Sequence, residues 1–572
     1  MSERQGAVVS STAMHESGLG PSVEIREQER RERAQQRLIF VTNRGPIEHA
    51  FGPDGLPAAS RGAGGVVSGL LCAAQDRPVS WISLAMTEAD RAVADAQPGG
   101  IEGPAGLERL ASRLVALPED IFRRHYDGFS NRILWFVLHG MAPLRKPAES
   151  TVRDAWERGY VPANQAVARA VVAELRRQGA RTPVMLHDYH VMLAPALVRR
   201  EVPDARLQHF IHTPWPEPAA WLDVPRDIVR ALFRGLAAND VIGMQTPRDV
   251  ERFLLGVESY CPEMRIDRAR QTIAWVGREI AVRAYPIALT PQVVAALSCA
   301  PAALAEAREI LDPLPQSPDH QLIMRVDRVE PTKNILRGFS AYERLLREHP
   351  DLRGRVTFLA LLVPSREGLR EYREYAAEVS AAIERVNARF GTPAWTPIVA
   401  VTGNNHDRAL ACMRRFDVLL VNPLIDGMNL VAKEGAVVNR RGGVIVLSRE
   451  AGAYQQLQSG ALGIAPTSVA ETTQALYTAL SMPPDRRAAL AARLREAVLR
   501  EDAGGWLAAQ LAELDRVRPA QPLGAAAEME RPLMTPHLAE ARRAVRTAPL
   551  PPLVPQIESG GAMRYPPPPL AP

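Results

Sequence analysis

Aromatic residues make up only 5% of this 572-residue chain, and its four cysteines, Cys72, Cys261, Cys299 and Cys412, stand far apart without pair spacing. That scatter supports neither a disulfide framework nor a zinc site, and it reads as four buried thiols in a reducing compartment. No run of eighteen consecutive apolar residues occurs, which argues against a membrane-spanning helix. The segment Met1–Gln36 carries Arg26, Glu27, Glu29, Arg30 and Arg31 but no apolar stretch that would serve as a secretory signal. A cytoplasmic location is the resulting expectation. An excess of one charge is missing too: 69 basic against 64 acidic residues leave a net +5, too little for a nucleic-acid footprint. Any anionic ligand must be held by a few placed groups.

What is present is a hydrophobic share of 46%, with 48 prolines and 39 glycines. At roughly 100–200 residues per domain, the length predicts two or more cores and room for a cleft between them. The end of the chain reads as an extended appendage, because Pro519–Pro572 holds 13 prolines. Between the ends, β-branched runs such as Arg37–Asn43, Val184–His187, Leu207–His212, Gln321–Val326, Val356–Leu362 and Asp417–Pro423 alternate with helical patterns such as Pro162–Gln178, Pro225–Ala237, Ile335–His349 and Leu430–Val438. Alternation of this kind argues for α/β architecture, with parallel sheets covered by helices. Leu289–Gln316 lacks strand character and reads as the junction between two α/β domains. Ligands of open α/β sheets lie at the carboxyl ends of strands, so the polar residues there carry the functional signal.

The strongest such element is Asp417–Glu434, DVLLVNPLIDGMNLVAKE. A buried strand runs into a turn at Ile425–Asn429 and then into a helix starting near Leu430, whose first N–H groups lack intrahelical partners. Such an end attracts phosphate through its dipole and its donors. Asp426 and Asn429 suit either sugar hydroxyls or helix capping, and Glu434 can accept from a ribose diol. In Met324–Lys333, MRVDRVEPTK, Arg328 and Lys333 are spaced to grip a diphosphate, or else to sit solvated in a basic loop. Gly62–Gly69, GAGGVVSG, fails as a dinucleotide fingerprint, but Gly64 and Gly65 let backbone approach a ligand and open a helix. Arg44 ends the first strand as a cation for the crevice or for the surface.

Two strand ends carry histidine, His187-Asp188-Tyr189-His190 and His212-Thr213-Pro214-Trp215-Pro216. Neither meets metal spacing. A histidine here suits a sugar hydroxyl, with a buried, backbone-satisfied ring as the competing role. Tyr126–Trp135, YDGFSNRILW, supplies donors suited to phosphate, with core packing the alternative, and Arg366 adds a cation after the strand FLALLV.

Taken in order, DGMNLVAKE at Asp426–Glu434, HDYH at His187–His190 and FSNxxLW at Phe129–Trp135 resemble the retaining glycosyltransferase family that contains the trehalose-6-phosphate synthases, over roughly Arg37 to Leu514. The resemblance implies a GT-B fold: two facing Rossmann-like domains with parallel sheets and an interdomain cleft. It divides the chain into a tail 1–36, an acceptor domain 37–290, a nucleotide-sugar domain 291–515 and a Pro-rich tail 516–572. It implies transfer of glucose from UDP- or GDP-glucose to glucose 6-phosphate, giving trehalose 6-phosphate, with no metal or other cofactor and with assembly as a dimer or tetramer. On the donor side it implies that Arg328 and Lys333 hold the diphosphate, that the backbone of Leu430, Val431, Ala432 and Lys433 supports it, and that Glu434 binds the ribose. His406 would lie by the base, Gly64 and Gly65 would close over the donor, and His212 and Asp426 would hold the transferred sugar. Arg328, Lys333, His212 and Asp426 make up the implied catalytic set.

On the acceptor side the resemblance implies that Arg44, Tyr126, Trp135 and Arg366 grip the 6-phosphate while Asp188 binds the sugar. The chain departs from the family where Asn334, Phe136 and Gly140 replace a usual glycine, proline and aromatic residue. Those departures leave glycerol 3-phosphate or a cyclitol as alternative acceptors, and a silent regulatory relative as the alternative from another class. No phosphatase domain is recognisable after Arg518.

Overall fold

The structure, a computed structural model, describes residues 37–61, 65–74, 77–103, 109–141 and 147–517. Both expected tails, apart from Arg516 and Val517, lie outside the described residues, and so does Gly64. The first domain is built on a ten-stranded sheet. Across it run Arg265–Asp267, Thr272–Trp275, Arg278–Ala284, Val241–Met244, Arg206–Phe210, Pro183–His187, Leu38–Thr42, Val79–Leu84, Leu110–Val115 and Ile101–Glu102. The second carries six parallel strands in the order Ile398–Thr402, Val356–Val363, Gln321–Arg328, Val418–Val421, Val444–Ser448 and Leu462–Ile464.

The central strands of the first sheet are also parallel, and antiparallel pairing is confined to its edges. Leu38–Thr42 is buried at all five positions, as is Pro183–His187, which is what helices on both faces demand of a parallel strand. The expected α/β architecture is therefore observed. The segment expected to join the domains contains two helices, Pro291–Leu297 and Pro301–Leu311, each opened by a proline whose missing N–H costs nothing in a first turn.

Two features lie outside the regular alternation of strand and helix. Arg124–Leu134, which takes in most of the YDGFSNRILW segment, is an eleven-residue π-helix, and a second wide turn, Trp156–Tyr160, crosses it. The crossing is close: a Cβ on Gly159 would sit 2.5 Å from the Cβ of Arg124. Wide turns of this kind are frequent at functional sites. The other feature is the helix Ala503–Arg516, which leaves the second domain and packs on the first, against the helix Gly65–Ala74 and the strand Arg206–Phe210. Trp506 donates from its indole nitrogen to the Tyr285 carbonyl at 3.0 Å and meets Phe210 edge-on at 5.1 Å. Leu38, Phe40 and Phe210 thus share one buried cluster with Ile287, Leu410, Ile445 and Trp506.

The cysteine expectation needs a correction. Cys261 and Cys412 are buried, but Cys299 is exposed, its sulfur 2.7 Å from the Arg414 guanidinium. It lies just beyond the short helix Pro291–Leu297, at the surface of the junction.

Candidate active site

Most of the expected site residues sit at or just beyond strand ends where the domains meet, while Tyr126 and Trp135 come from the helical segment 124–138. Asp188 follows Pro183–His187 with φ 69° and ψ 177°, a backbone conformation that belongs to glycine. It is held there by its own N–H, which donates to the Phe210 carbonyl at 2.7 Å, and by the His209 ring, whose Nε2 lies 2.8 Å from the Asp188 carbonyl. Burial pushes its carboxyl up to about 6, against the pull of the backbone amides of Tyr189, His212 and Thr213. Its Oδ1 is buried without a hydrogen-bond partner among the described residues. A carboxyl raised in the folded state contributes stability below its ordinary value that is lost as pH rises through about 6. Urea unfolding from pH 4 to 7 should show this fall in the wild type relative to Asp188→Asn; parallel pH profiles for the two proteins would contradict it.

A chain of contacts links the residues expected on the acceptor side. Arg44 reaches the Tyr126 hydroxyl at 3.5 Å and Glu48 at 3.0 Å. Tyr126 stacks on His190, and His190 on Tyr189. The Tyr189 hydroxyl lies 3.3 Å from an Arg366 nitrogen and donates to Asn131 at 2.9 Å. Arg366, itself at φ 47°, lies over the Trp135 ring at 4.9 Å and donates to the Tyr372 hydroxyl at 2.5 Å. Trp135 is only 2% exposed, so its ring serves as a floor for the arginine.

On the other side, Lys333 forms an ion pair with Asp426 at 2.5 Å, and Asn429 donates to the same carboxylate oxygen at 3.1 Å. Burial opposes both charges, but each offsets the other: Asp426 stays below the usual carboxylate range and Lys333 above the usual amine range. Asn429, at φ 75°, caps the helix Leu430–Val438 by accepting from the Ala432 N–H at 3.1 Å. Capping and lysine pairing are thus divided between two residues that the sequence left interchangeable.

Arg328 is half-exposed and pairs with Glu330 at 2.9 Å. Burial alone would raise the Glu330 carboxyl, but Arg328, Arg366 and Lys333 together hold it down to about 2.

The remaining expected residues are placed as follows. The two ring nitrogens of His212 face His187 at 3.2 Å and Gln245 at 3.5 Å, and burial holds the ring at about 3, so it is neutral at neutral pH. His406 lies 2.9 Å from Glu434, so the residue expected by the base and the one expected by the ribose contact each other. Ala432, Lys433 and Glu434 are buried, with Leu430 and Val431 partly so. Lys433 sends its amine to the Ile287 carbonyl at 2.7 Å, and burial pushes it down to about 8. Gly65 opens the helix Gly65–Ala74. Among the described residues, no group of three or more His, Cys, Asp or Glu side chains is arranged to hold a metal ion.

Sequence reasoning missed Glu330, Tyr189 and Tyr372. Glu330 lay in plain view between Arg328 and Lys333, and a lone acid between two spaced cations was the signal.

The sequence profile of glycosyltransferase family 20 matches residues 36–516, a span that contains every one of these strand ends. The chain belongs to glycosyltransferase family 20. It is 33% identical over 487 residues to the bifunctional trehalose-6-phosphate synthase/phosphatase of Thermoproteus tenax, covering 82% of this chain and 62% of that relative's length. It is 31% identical to the UDP-forming alpha,alpha-trehalose-phosphate synthase 1 of Aspergillus niger, covering 84% of this chain and 90% of the relative. A solved UDP-forming alpha,alpha-trehalose-phosphate synthase from Burkholderia xenovorans, in complex with glucose-6-phosphate, superposes with a TM-score of 0.71 at 28% identity, over 84% of this chain and all of that one. The fold is GT-B, as the resemblance implied.

Two departures from the family 20 pattern have physical explanations. Asn334 adopts a left-handed conformation, φ 57° and ψ 38°, which glycine and asparagine tolerate best. Its amide repays the exchange by donating to the carbonyls of Asn422 and Pro466 at 3.0 and 2.7 Å. Phe136 is buried behind Trp135, edge-on at 5.1 Å, and packs into the core.

Proposed function

We propose that this protein is a retaining glucosyltransferase that moves glucose from UDP-glucose to glucose 6-phosphate, giving trehalose 6-phosphate. The observation that carries the reading is the pair of cationic poles at one cleft, Arg328 with Lys333 and Arg366 with Arg44, one for a diphosphate and one for a monophosphate. Trp135 and Tyr126 complete the monophosphate pole, and Asp188 offers its unpartnered oxygen to a hydroxyl of the acceptor sugar. The helix start at Leu430–Lys433 supports the diphosphate by dipole and N–H donors. Glu434 and His406 receive the nucleoside.

The acceptor hydroxyl oxygen bonds to the anomeric carbon on the face the diphosphate leaves. The bond from that carbon to the phosphate oxygen breaks, and the departing oxygen takes the hydroxyl proton, so anomeric configuration is retained. The residues contribute position and charge stabilisation. Asp426 is fixed by Lys333 and Asn429 at the turn where the transferred sugar lies. The buried, neutral ring of His212 packs beside it.

The test is a coupled assay of nucleoside diphosphate release with UDP-, GDP- and ADP-glucose against glucose 6-phosphate and glycerol 3-phosphate. UDP release that requires glucose 6-phosphate is expected. Release that tracks only another acceptor would replace the substrate, and silence with every pair would remove the activity.

A further inference from the structure

Glu330 is 1% exposed yet stands among three cations that the reading above assigns to the substrates' phosphates. One carboxylate oxygen, Oε1, accepts from Arg328 at 2.9 Å, from the Ser365 hydroxyl at 2.8 Å and faces Arg366 at 3.5 Å. Arg328 belongs to the donor pole and Arg366 to the acceptor pole, so a single buried anion is shared by both. We propose that Glu330 is a positioning residue and an internal counter-ion. It fixes the position of the two guanidiniums before substrate binds, and its negative charge weakens the hold of both poles on their phosphates so that products leave.

The two effects of the carboxylate oppose each other, and their sizes decide the outcome. Glutamine keeps an acceptor for Arg328 and Ser365, so most of the orientation survives Glu330→Gln. The charge does not survive, and a unit charge a few ångströms from a phosphate in a half-buried site changes affinity by at least about tenfold. The charge effect therefore dominates. Glu330→Gln should bind phosphates more tightly and turn over more slowly, with kcat and KM falling together.

This inference rests on the functional reading, and the experiment separates the two. UDP, glucose 6-phosphate and inorganic pyrophosphate are titrated by calorimetry into the full-length wild type, Glu330→Gln and Glu330→Asp, with steady-state kinetics on each. About tenfold tighter UDP and pyrophosphate binding by Glu330→Gln, lower kcat and KM together, and near-wild-type behaviour of Glu330→Asp are expected. Ligand-dependent thermal stabilisation that grows in Glu330→Gln gives the same answer for a variant that is partly unfolded. Equal or weaker binding by Glu330→Gln, with a wild type that binds, overturns the counter-ion role alone. A wild type that binds neither UDP nor glucose 6-phosphate overturns the functional reading, and this inference with it.

Discussion

Lys333→Ala is expected to lower kcat by about a hundred- to a thousandfold, the cost of removing one preorganised donor to developing charge, roughly 2.7–4 kcal/mol. The lysine amine is buried and bonded to Asp426, so the substitution also leaves a carboxylate buried without its cation. Stripping one partner from such a pair costs about 3–5 kcal/mol of stability. The pH dependence should change sign as well. In the wild type Asp426 is held below the usual carboxylate range, so the stability it contributes is present above that range and lost as pH falls. Without the lysine, burial is the largest influence left and raises the carboxyl, so stability is then lost as pH rises. Urea unfolding at pH 5 and pH 7.5, alongside the coupled assay, reads both effects. A kcat within threefold of wild type would show that Lys333 does not face the reaction.

Gly427→Ala should cost about a hundredfold in kcat by a different route. Gly427 lies in the second domain between Asp426 and the helix start, and its backbone presses on the His212–Thr213 backbone of the first. A Cβ there would sit 2.1 Å from the His212 carbonyl oxygen and 3.1 Å from the carbonyl carbons of His212 and Thr213. Backbone cannot swing aside as the end of a side chain does, so the domains must back away or the turn must deform. Overpacking of this kind costs about 1–3 kcal/mol, but catalysis suffers more, because a displacement of ~1 Å between reacting groups costs ~10²-fold. Small-angle scattering should report a slightly more open molecule, and far-UV circular dichroism an unchanged fold. Full activity in the alanine variant would mean that the contact is not part of the working geometry.

How much of this was legible in the sequence follows from which residues had to be seen together. Leu38–Thr42, Val356–Val363 and Val418–Val421 announce themselves because parallel strands buried on both faces are continuous apolar runs. Val79–Leu84 does not, since Ser80 and Ser83 interrupt it, and the edge strand Arg265–Asp267 and its neighbour Thr272–Trp275, three and four residues long, are too short to stand out. Arg124–Leu134 defeats helical periodicity, because π geometry changes which residues share a face.

At the site, Arg44, Tyr126, Asp188, Arg328, Lys333 and Arg366 were each visible as a polar residue at a strand end or in a marked segment. Their mutual contacts were not. The pairing of His187 with His212 depends on the register of Pro183–His187 against Arg206–Phe210, and the contact of Tyr189 with Arg366 spans 177 positions. The acid at 330 is legible between Arg328 and Lys333, but its contact with Arg366 exists only once the neighbouring strand is in place.

The return of Ala503–Arg516 to the first domain bears on how the protein is made. During synthesis the ten strands of the first sheet emerge early, but the helix that covers Phe210 and the helix Gly65–Ala74 is among the last segments of the catalytic body to leave the ribosome. At ~5–20 residues per second the interval from Leu289 to Arg516 is on the order of ten to fifty seconds. Through that time an apolar face of the nascent chain stands uncovered, a stretch over which chaperones, and premature termination near residue 500, should matter most.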